Sequence, residues 1–180
     1  MPLKKKSPSS IPGWITETHN GVFEIGITTD EKHSGTCCAY IGSETDKPTN
    51  FGNLLQEISP EEFSGKRLRM TAWAKSKIKS GTGNFWVRVD GDWKNAAAVG
   101  AFDNMFERPI IGNTEWTQYQ LVVEVPETSS NIAFGCFLNG SGALFIDDIS
   151  FEVVGKDVPL TGRTPKAHPV KKPTNLNFER

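Results

Sequence analysis

The sequence of 180 residues has few of the features that mark membrane proteins or disulfide-stabilised folds. No apolar run approaches the roughly 20 residues of a membrane-spanning helix, and the basic N-terminal segment MPLKKKSPSSIPGW has no apolar signal-peptide core. The three cysteines are odd in number and do not have the spacing of metal ligands. Cys37 and Cys38 would point to opposite faces of a strand, and Cys136 lies in the apolar run IAFGCFL. We therefore predict a reduced, cytoplasmic protein with no membrane partner.

The sequence also has no recognisable catalytic motif. There is no Gly-x-Ser-x-Gly elbow, no cysteine with an evident histidine partner and no metalloprotease helix. The carboxylate pairs Asp90/Asp92 and Asp147/Asp148 could in principle support glycoside hydrolysis. Carboxylates at adjacent or alternate strand positions are, however, common for purely structural reasons. We predict that the chain is not an enzyme.

Positive charge is scarce in the body of the chain. The formal net charge is −1, but residues 7–162 contain twelve Lys and Arg against twenty Asp and Glu, and the basic residues concentrate at the two ends. A body this acidic is unsuited to a phosphate backbone, so we predict no nucleic-acid partner. The basic ends are expected to be solvated termini.

What the sequence does contain is strand-forming residues separated by turns. The segments VFEIGIT, TCCAYI, FGNLLQEI (Phe51 to Ile58), GKRLRMTAWAK, NFWVRVDG, AAAVGAFDN, WTQYQLVVEV, NIAFGCFLN and ALFIDDISFEVV give roughly nine strands. This pattern predicts an all-β protein, a two-sheet antiparallel jelly-roll sandwich. We assign a flexible N-terminus to residues 1–12, the jelly-roll domain to 13–159, a Pro/Lys-rich tether to 160–174 and a C-terminal strand, NLNFER, to 175–180.

Strand alternation indicates which side chains could meet a ligand. In RLRMTAWAK and NFWVRVDG the positions on the non-core face each include a Trp and an Arg. Aromatic faces stack on sugar rings, and Arg, Asp and amide groups hydrogen-bond to hydroxyls. The candidate ligand contacts are Trp73, Trp86, Arg88, Asp90, Arg69, Gln56, Asn139 and Asn104. The alternative is that a loop covers this face and the residues form a second, polar-edged core.

The segment AFDNMFERPI is a second concentration of polar residues. It is too polar for a core strand and too apolar for an idle loop. It could border a binding cleft, or Asp103 could pair with Arg108 and so hold the loop in place.

Several of these segments together resemble a known domain family. The run HSG with AYI, followed by FGNLLQ, GKRLRMTAWAK, FWVRVDG, IAFGCFLNGSG and IDDISFEVVG, is similar to a galactose-binding-like jelly-roll module. The nearest match is an uncharacterised bacterial module, some copies of which are attached to AraC-type transcription regulators. Similarity to family 4/9/22-type carbohydrate-binding modules is more distant. The resemblance covers about residues 13–159, and no helix-turn-helix pattern accompanies it here.

The resemblance also bears on the C-terminal segment NLNFER. The related carbohydrate-binding modules open with an Asn-Leu…Phe-Glu strand shortly before a Gly-Trp pair such as Gly13-Trp14. Here the matching strand stands at residues 175–180. The resemblance therefore implies that the C-terminal strand folds back onto its own domain. A strand exchanged within a homodimer and a disordered end are the alternatives.

A structural calcium is implied by the same resemblance. The related modules hold calcium with the opening-strand Glu, an Asp of the closing strand and backbone oxygens near the HSG turn. The matching carboxylates are Glu179 and Asp147 or Asp148. Calcium takes six to eight oxygen ligands. Alternatively, Asp147 hydrogen-bonds to the turn without a metal.

Two functions follow from the sequence. The first is a non-catalytic module that binds a carbohydrate or a similar small polar molecule on the Trp/Arg face, with the Trp side chains partly exposed. The second is a structural or protein-interaction sandwich in which the Trp side chains are buried and the C-terminal strand makes a homodimer.

Overall fold

The protein is all-β in the computed structural model, which describes residues 11–19, 22–45, 49–91 and 101–162. The strands are β1 (Ile15–Glu17), β2 (Glu24–Thr28), β3 (Cys38–Ser43), β4 (Phe51–Ile58), β5 (Lys66–Gly91), β6 (Phe102–Asp103), β7 (Asn113–Val125) and β8 (Ser129–Val154). The predicted jelly-roll class is confirmed, and β4 has the bounds that the sequence indicated. The short strand β1 was not predicted.

Two long strands organise the fold. β5 and β8 have 26 residues each and pair antiparallel along almost their whole length. Four of the predicted strands are therefore halves of these two. The C-terminal half of β5 and the N-terminal half of β8 join β1, β4 and β6 in what we call the front layer. The other halves join β2, β3 and β7 in the back layer. Hydrogen bonding thus continues between the layers, and the sheet is nearly closed into a barrel.

Glycines allow β5 and β8 to turn from one layer into the other. The pairing shifts register between Ile78 and Ser80, beside the opposed pair Gly81 and Gly140. Both glycines have positive φ, +82° and +124°. A Cβ on Gly81 would lie 1.9 Å from a backbone oxygen of Asn139, so a side chain cannot be placed there.

The main core fills the space between the layers. Residues from both halves of β5 point into it, because alternate positions of each half share one face. Met70 of the back layer is 1% exposed and Phe85 of the front layer is 0% exposed. Cys136 is also buried there, as expected for a small apolar residue. The other face of each layer is therefore available for a binding surface or a cover.

The described body continues slightly past residue 159. Thr161 donates its backbone N–H to the carbonyl of Val122 on β7 and accepts from Val122 N through its hydroxyl. Most of the predicted N-terminus and tether, and the whole of the predicted C-terminal strand, lie outside the described residues. Among the residues that are described, no helix has the length and apolar character needed to cross a membrane.

Candidate functional site

A cleft of about 390 Å³ lies on the outer face of the front layer. Four strands, β1, β4, β5 and β8, supply its floor, and Phe102 and Asn104 border it from β6 and the loop that follows. The lining residues are Glu17, Phe51, Asn53, Leu55, Glu57, Trp86, Arg88, Phe102, Asn104, Ala133 and Phe137. The set combines aromatic rings with charged and amide groups.

The floor of the cleft is fixed by a chain of hydrogen bonds across three strands. Trp86 is 8% exposed, and its indole Nε1 donates to Asn53 Oδ1 at 3.0 Å. Asn53 Nδ2 in turn donates to Glu17 Oε2 at 2.9 Å. The buried indole N–H of Trp86 and both amide atoms of Asn53 therefore have hydrogen-bond partners, as a low-dielectric setting requires. This chain sets the amide and the carboxylate in defined orientations.

A second polar group lies beside the first. Arg88 donates from Nε and Nη2 to the two oxygens of Asp90, at 2.7 and 3.1 Å. Asn131 Nδ2 donates to Asp90 and also to Glu57, at 3.1 and 3.3 Å. Burial raises the pKa of Asp90, but hydrogen bonds from Arg88 and Asn131 outweigh burial and lower that pKa overall. Asp90 is therefore an ionised anchor that orients the guanidinium.

Phenyl rings form the walls of the cleft. Phe51 and Phe137 lie with their ring centroids 5.7 Å apart, and His19 lies 4.8 Å from Phe51. Phe102 stands on the opposite side and is 46% exposed. The accessible aromatic surface is thus that of phenylalanines, while the indole of Trp86 lies in the floor.

The segment after β6 continues the surface into a second cavity of about 290 Å³. Arg108 Nη2 lies 2.5 Å from Asp103 Oδ2, and Asp103 is only 4% exposed. The backbone N–H of Met105 and the hydroxyl of Thr161 also donate to Asp103. The predicted pairing of Asp103 with Arg108 is present, and Phe102 and Asn104 of the same segment line the cleft.

Three of the eight predicted ligand contacts line the cleft, and the other five do not. Trp86, Arg88 and Asn104 line it, and Asp90 lies behind Arg88. Asn139 is exposed at the end of the same face, outside the set that lines the cleft. The proposed single face that included Arg69, Trp73 and Gln56 is wrong.

These three residues are misplaced for two physical reasons. Arg69 and Trp73 belong to the half of β5 that lies in the back layer, where Arg69 pairs with Glu152. Gln56 shares the inward face of β4 with Leu54 and donates to the carbonyl of Gly13 at 2.7 Å. Sequence alternation gives the face of each strand but not the layer to which that strand belongs.

The alternative of a covered face is correct for Trp73. The ring of His33, from the turn before β3, stacks on Trp73 with a centroid distance of 3.9 Å. Trp116 lies 5.7 Å from the same histidine and packs against Cys38, Tyr40, Ala143 and Phe145. This outer side of the back layer is a second small core.

Asp147 and Asp148 hold the turn that covers Trp73. Asp147 Oδ2 accepts from the backbone N–H groups of His33 and Ser34, at 2.9 and 3.1 Å. Asp148 lies 2.6 Å from His33 Nδ1 and accepts from the hydroxyl of Ser34. Donor groups therefore contact both carboxylates, and Asp147 bonds to the turn as the alternative without a metal describes.

In the described ranges, which include Asp147 and Asp148, no group of three or more His, Cys, Asp and Glu is placed to hold a metal ion. The third predicted ligand, Glu179, lies outside those ranges.

The strongest signal that the sequence interpretation missed is the phase of β4. The set Phe51, Asn53, Leu55 and Glu57 points into the cleft, whereas the inward set is Gly52, Leu54 and Gln56. A Cβ on Gly52 would lie 2.9 Å from Ile41 of the back layer, so this position requires a glycine at the core. The greater polarity of the Phe51 set could have indicated the outer face.

Comparison of the sequence with known proteins gives one informative relative. No family model matches the chain. The Bacillus subtilis (strain 168) protein named "Uncharacterized HTH-type transcriptional regulator YbfP" is 36% identical over 169 residues. The match covers 93% of this chain and 56% of that regulator. The chain therefore spans little more than half of the length of this relative.

Comparison of the structure gives carbohydrate-binding modules. The C-terminal family 22 carbohydrate-binding module of Clostridium thermocellum Xyn10B is 12% identical with a TM-score of 0.55, over 83% of this chain and 91% of that one. Modules of families 16 and 61 are also similar. So is an enzyme, a Stig cyclase from Fischerella sp. TAU, at 14% identity and a TM-score of 0.53 over 79% of this chain and 85% of that one. Identities this low establish the fold alone. The relative is named as an HTH-type regulator, as the resemblance to a regulator-linked module implied, and the solved structures confirm the jelly-roll fold.

Proposed function

We propose that the protein is a non-catalytic module that binds a carbohydrate or a similar small polar molecule in the cleft of the front layer. One observation carries the proposal: exposed phenyl rings flank a floor whose polar groups are already oriented by the Trp86–Asn53–Glu17 and Arg88–Asp90 bonds. Sugars have apolar C–H faces and polar hydroxyl edges, and this arrangement complements both.

Pre-orientation matters because it lowers the entropy cost of binding. A guanidinium held by two hydrogen bonds to Asp90 and an amide held by two bonds to Trp86 and Glu17 lose little freedom when a ligand arrives. The side chains of Phe51 and Phe102 have no polar atoms and are 39% and 46% exposed, so apolar aromatic surface is accessible to a ligand. Amino acids in the cleft of the similar family 22 module have a role in ligand binding, which supports the proposal.

The cleft is poorly suited to acid–base chemistry on a sugar. A glycosidase needs a carboxyl group whose pKa is raised, so that it can donate a proton to the leaving oxygen. Asp90 has its pKa lowered instead and is engaged with Arg88. Glu17 and Glu57 each accept a hydrogen bond from an asparagine amide. These contacts are those of a binding site.

Calorimetric titration with a panel of neutral oligosaccharides tests the proposal. Phe51→Ala and Arg88→Ala should each weaken binding by about tenfold, since an interface contact of about 1.4 kcal/mol is lost. Arg69→Ala is the matched control, because Arg69 is on the same strand and pairs with Glu152 in the back layer. Affinities that fall equally in Arg69→Ala and Arg88→Ala, or a panel that gives no binding, would exclude the cleft as a saccharide site.

One observation favours the second function. Trp86 is buried and Trp73 lies under His33, which is what the structural or protein-interaction sandwich predicted for these residues. Sedimentation of the full chain and of a chain lacking residues 175–180 distinguishes the two functions. A dimer that becomes a monomer on truncation, together with no saccharide binding, would establish the interaction protein.

A further inference from the structure

The charges of the cleft are unbalanced. Glu17 and Glu57 lie on β1 and β4, at the rim of the floor, and both are exposed. Among the hydrogen bonds between described residues, Glu17 accepts only from the neutral amide of Asn53, and Glu57 accepts only from that of Asn131. No ion pair between described residues involves either of them.

Arg88, the arginine among the described residues that line the cleft, does not neutralise these carboxylates. Arg88 forms its two-point ion pair with Asp90. Hydrogen bonds to Asp90, and the nearby charges of Asp90 and Glu57, raise the pKa of Arg88. The guanidinium therefore already has a carboxylate partner, and a ligand that enters the cleft meets a surplus of negative charge.

We propose that the cleft selects its saccharide by charge: amino sugars bind best, neutral sugars next and uronates worst. This inference rests on the proposed function. A carboxylate on the ligand would approach Glu17 or Glu57, and no unpaired cation lies beside them among the described residues that line the cleft. Like charges without compensation are strongly disfavoured in a partly desolvated site. An ammonium group would find a carboxylate partner in the same place.

Glu57 is the residue that should contribute most to this selection. Glu57 lies on the same face as Arg88, and its negative charge contributes to the raised pKa of the guanidinium. The amide of Asn131 donates to both Glu57 and Asp90 and so links the two carboxylates. Replacing it with Gln removes one charge and keeps an oxygen that can accept the bond from Asn131. The substitution therefore changes the electrostatic field of the cleft with little change to its shape.

Three β-1,4-linked tetrasaccharides provide the test, namely the tetramers of glucose, glucosamine and glucuronate, and each charged tetramer differs from that of glucose in one substituent per sugar unit. The glucosamine tetramer should bind about tenfold more tightly than the glucose tetramer, and the glucuronate tetramer about tenfold more weakly, each a difference of about 1.4 kcal/mol. The spread, which is the difference in affinity between the glucosamine and glucuronate tetramers, should shrink in high salt because exposed charges are screened. Glu57→Gln should narrow the spread by about threefold.

A charge control separates the field of the cleft from that of the whole molecule. Glu152→Gln removes one charge from the back layer, where Glu152 pairs with Arg69, and should leave the spread unchanged. Glucuronate binding as tight as glucose binding, or equal narrowing by both variants, would overturn the charge selection while the saccharide site stands. Binding of none of the three tetramers would overturn the proposed function and this inference with it.

Discussion

The indole Nε1 of Trp86 donates a hydrogen bond to Oδ1 of Asn53 at 3.0 Å, and both residues are buried. The bond crosses from β5 to β4, although these strands are separated by β8 in the front layer. The two side chains therefore meet across β8, where Gly135 opposes Trp86 and Phe137 opposes Asn53. This contact makes the floor of the cleft a single rigid unit.

Replacing Trp86 with Phe should lower the free energy of unfolding by about 1–3 kcal/mol, because Asn53 Oδ1 loses its donor in a buried site. Phe keeps most of the apolar surface, so packing loss is the smaller part. Urea unfolding followed by far-UV circular dichroism measures the change.

Trp116→Phe is the control for this substitution. Trp116 packs against the small core of the back layer. Its indole N–H donates no hydrogen bond to another described residue. Its replacement should cost less than that of Trp86. Equal losses would show that the Trp86–Asn53 bond adds nothing beyond packing.

The sequence predicted the strands of the front layer well and their assembly less well. Alternation placed Trp86 and Arg88 on the outer face correctly, because the period of a strand is a local property. Trp73 and Arg69 follow the same rule on the same strand, yet the bend at Gly81 carries them into the other layer. Layer assignment depends on this distant pairing with β8, which no local pattern encodes.

Arg108→Ala should destabilise the protein by about 2 kcal/mol, because Asp103 is left as a buried carboxylate without its cation. Asp103 would keep only the bonds from Met105 N and Thr161. The double variant Asp103→Asn/Arg108→Ala removes the unpaired charge and should be more stable than Arg108→Ala alone. Thermal melting of the wild type, Arg108→Ala and the double variant gives the comparison, and a double variant less stable than Arg108→Ala would contradict the argument.

Only Cys37 should react rapidly with a thiol reagent in the folded protein. Burial, with further effects of Asp147 and Glu31, raises the pKa of Cys38 to about 12, and burial raises the pKa of Cys136. At pH 8 about one Cys38 thiol in ten thousand is then ionised, and the thiolate is the reactive form. Cys37 is partly exposed.

Titration with Ellman's reagent at pH 8 checks this expectation. One thiol should react quickly in buffer and three in 6 M urea, where 6 M is about the concentration that unfolds most domains. Cys37→Ser should remove the fast phase. A fast phase that persists in this variant would place Cys38 or Cys136 at the surface.

The site residues that the sequence could not identify come from strands with ambiguous patterns. β4 has apolar residues on both faces, since Leu54 packs in the core and Leu55 and Phe51 line the cleft. The polarity of the set that includes Phe51 is a weak signal, and the contact of Gly52 with Ile41 of the back layer shows which face is buried. Glu17 could not be found at all, because the three residues of β1 are too few to show a period.

The turn that covers Trp73 should become less stable in acid, because it depends on ionised Asp148. Hydrogen bonds from His33 and Ser34 lower the pKa of Asp148 below its unfolded value of about 3.9. Its contribution is therefore complete above about pH 4 and is lost as the pH falls through the folded pKa. The urea midpoint should fall between pH 5 and 3 by less in Asp148→Asn than in the wild type, and Asn tolerates the φ of 49° found here. Asp30→Asn removes the same charge from an exposed position, so the urea midpoint of this control should fall as much as that of the wild type. If the urea midpoint of Asp148→Asn falls as much as that of the wild type, Asp148 does not support the turn.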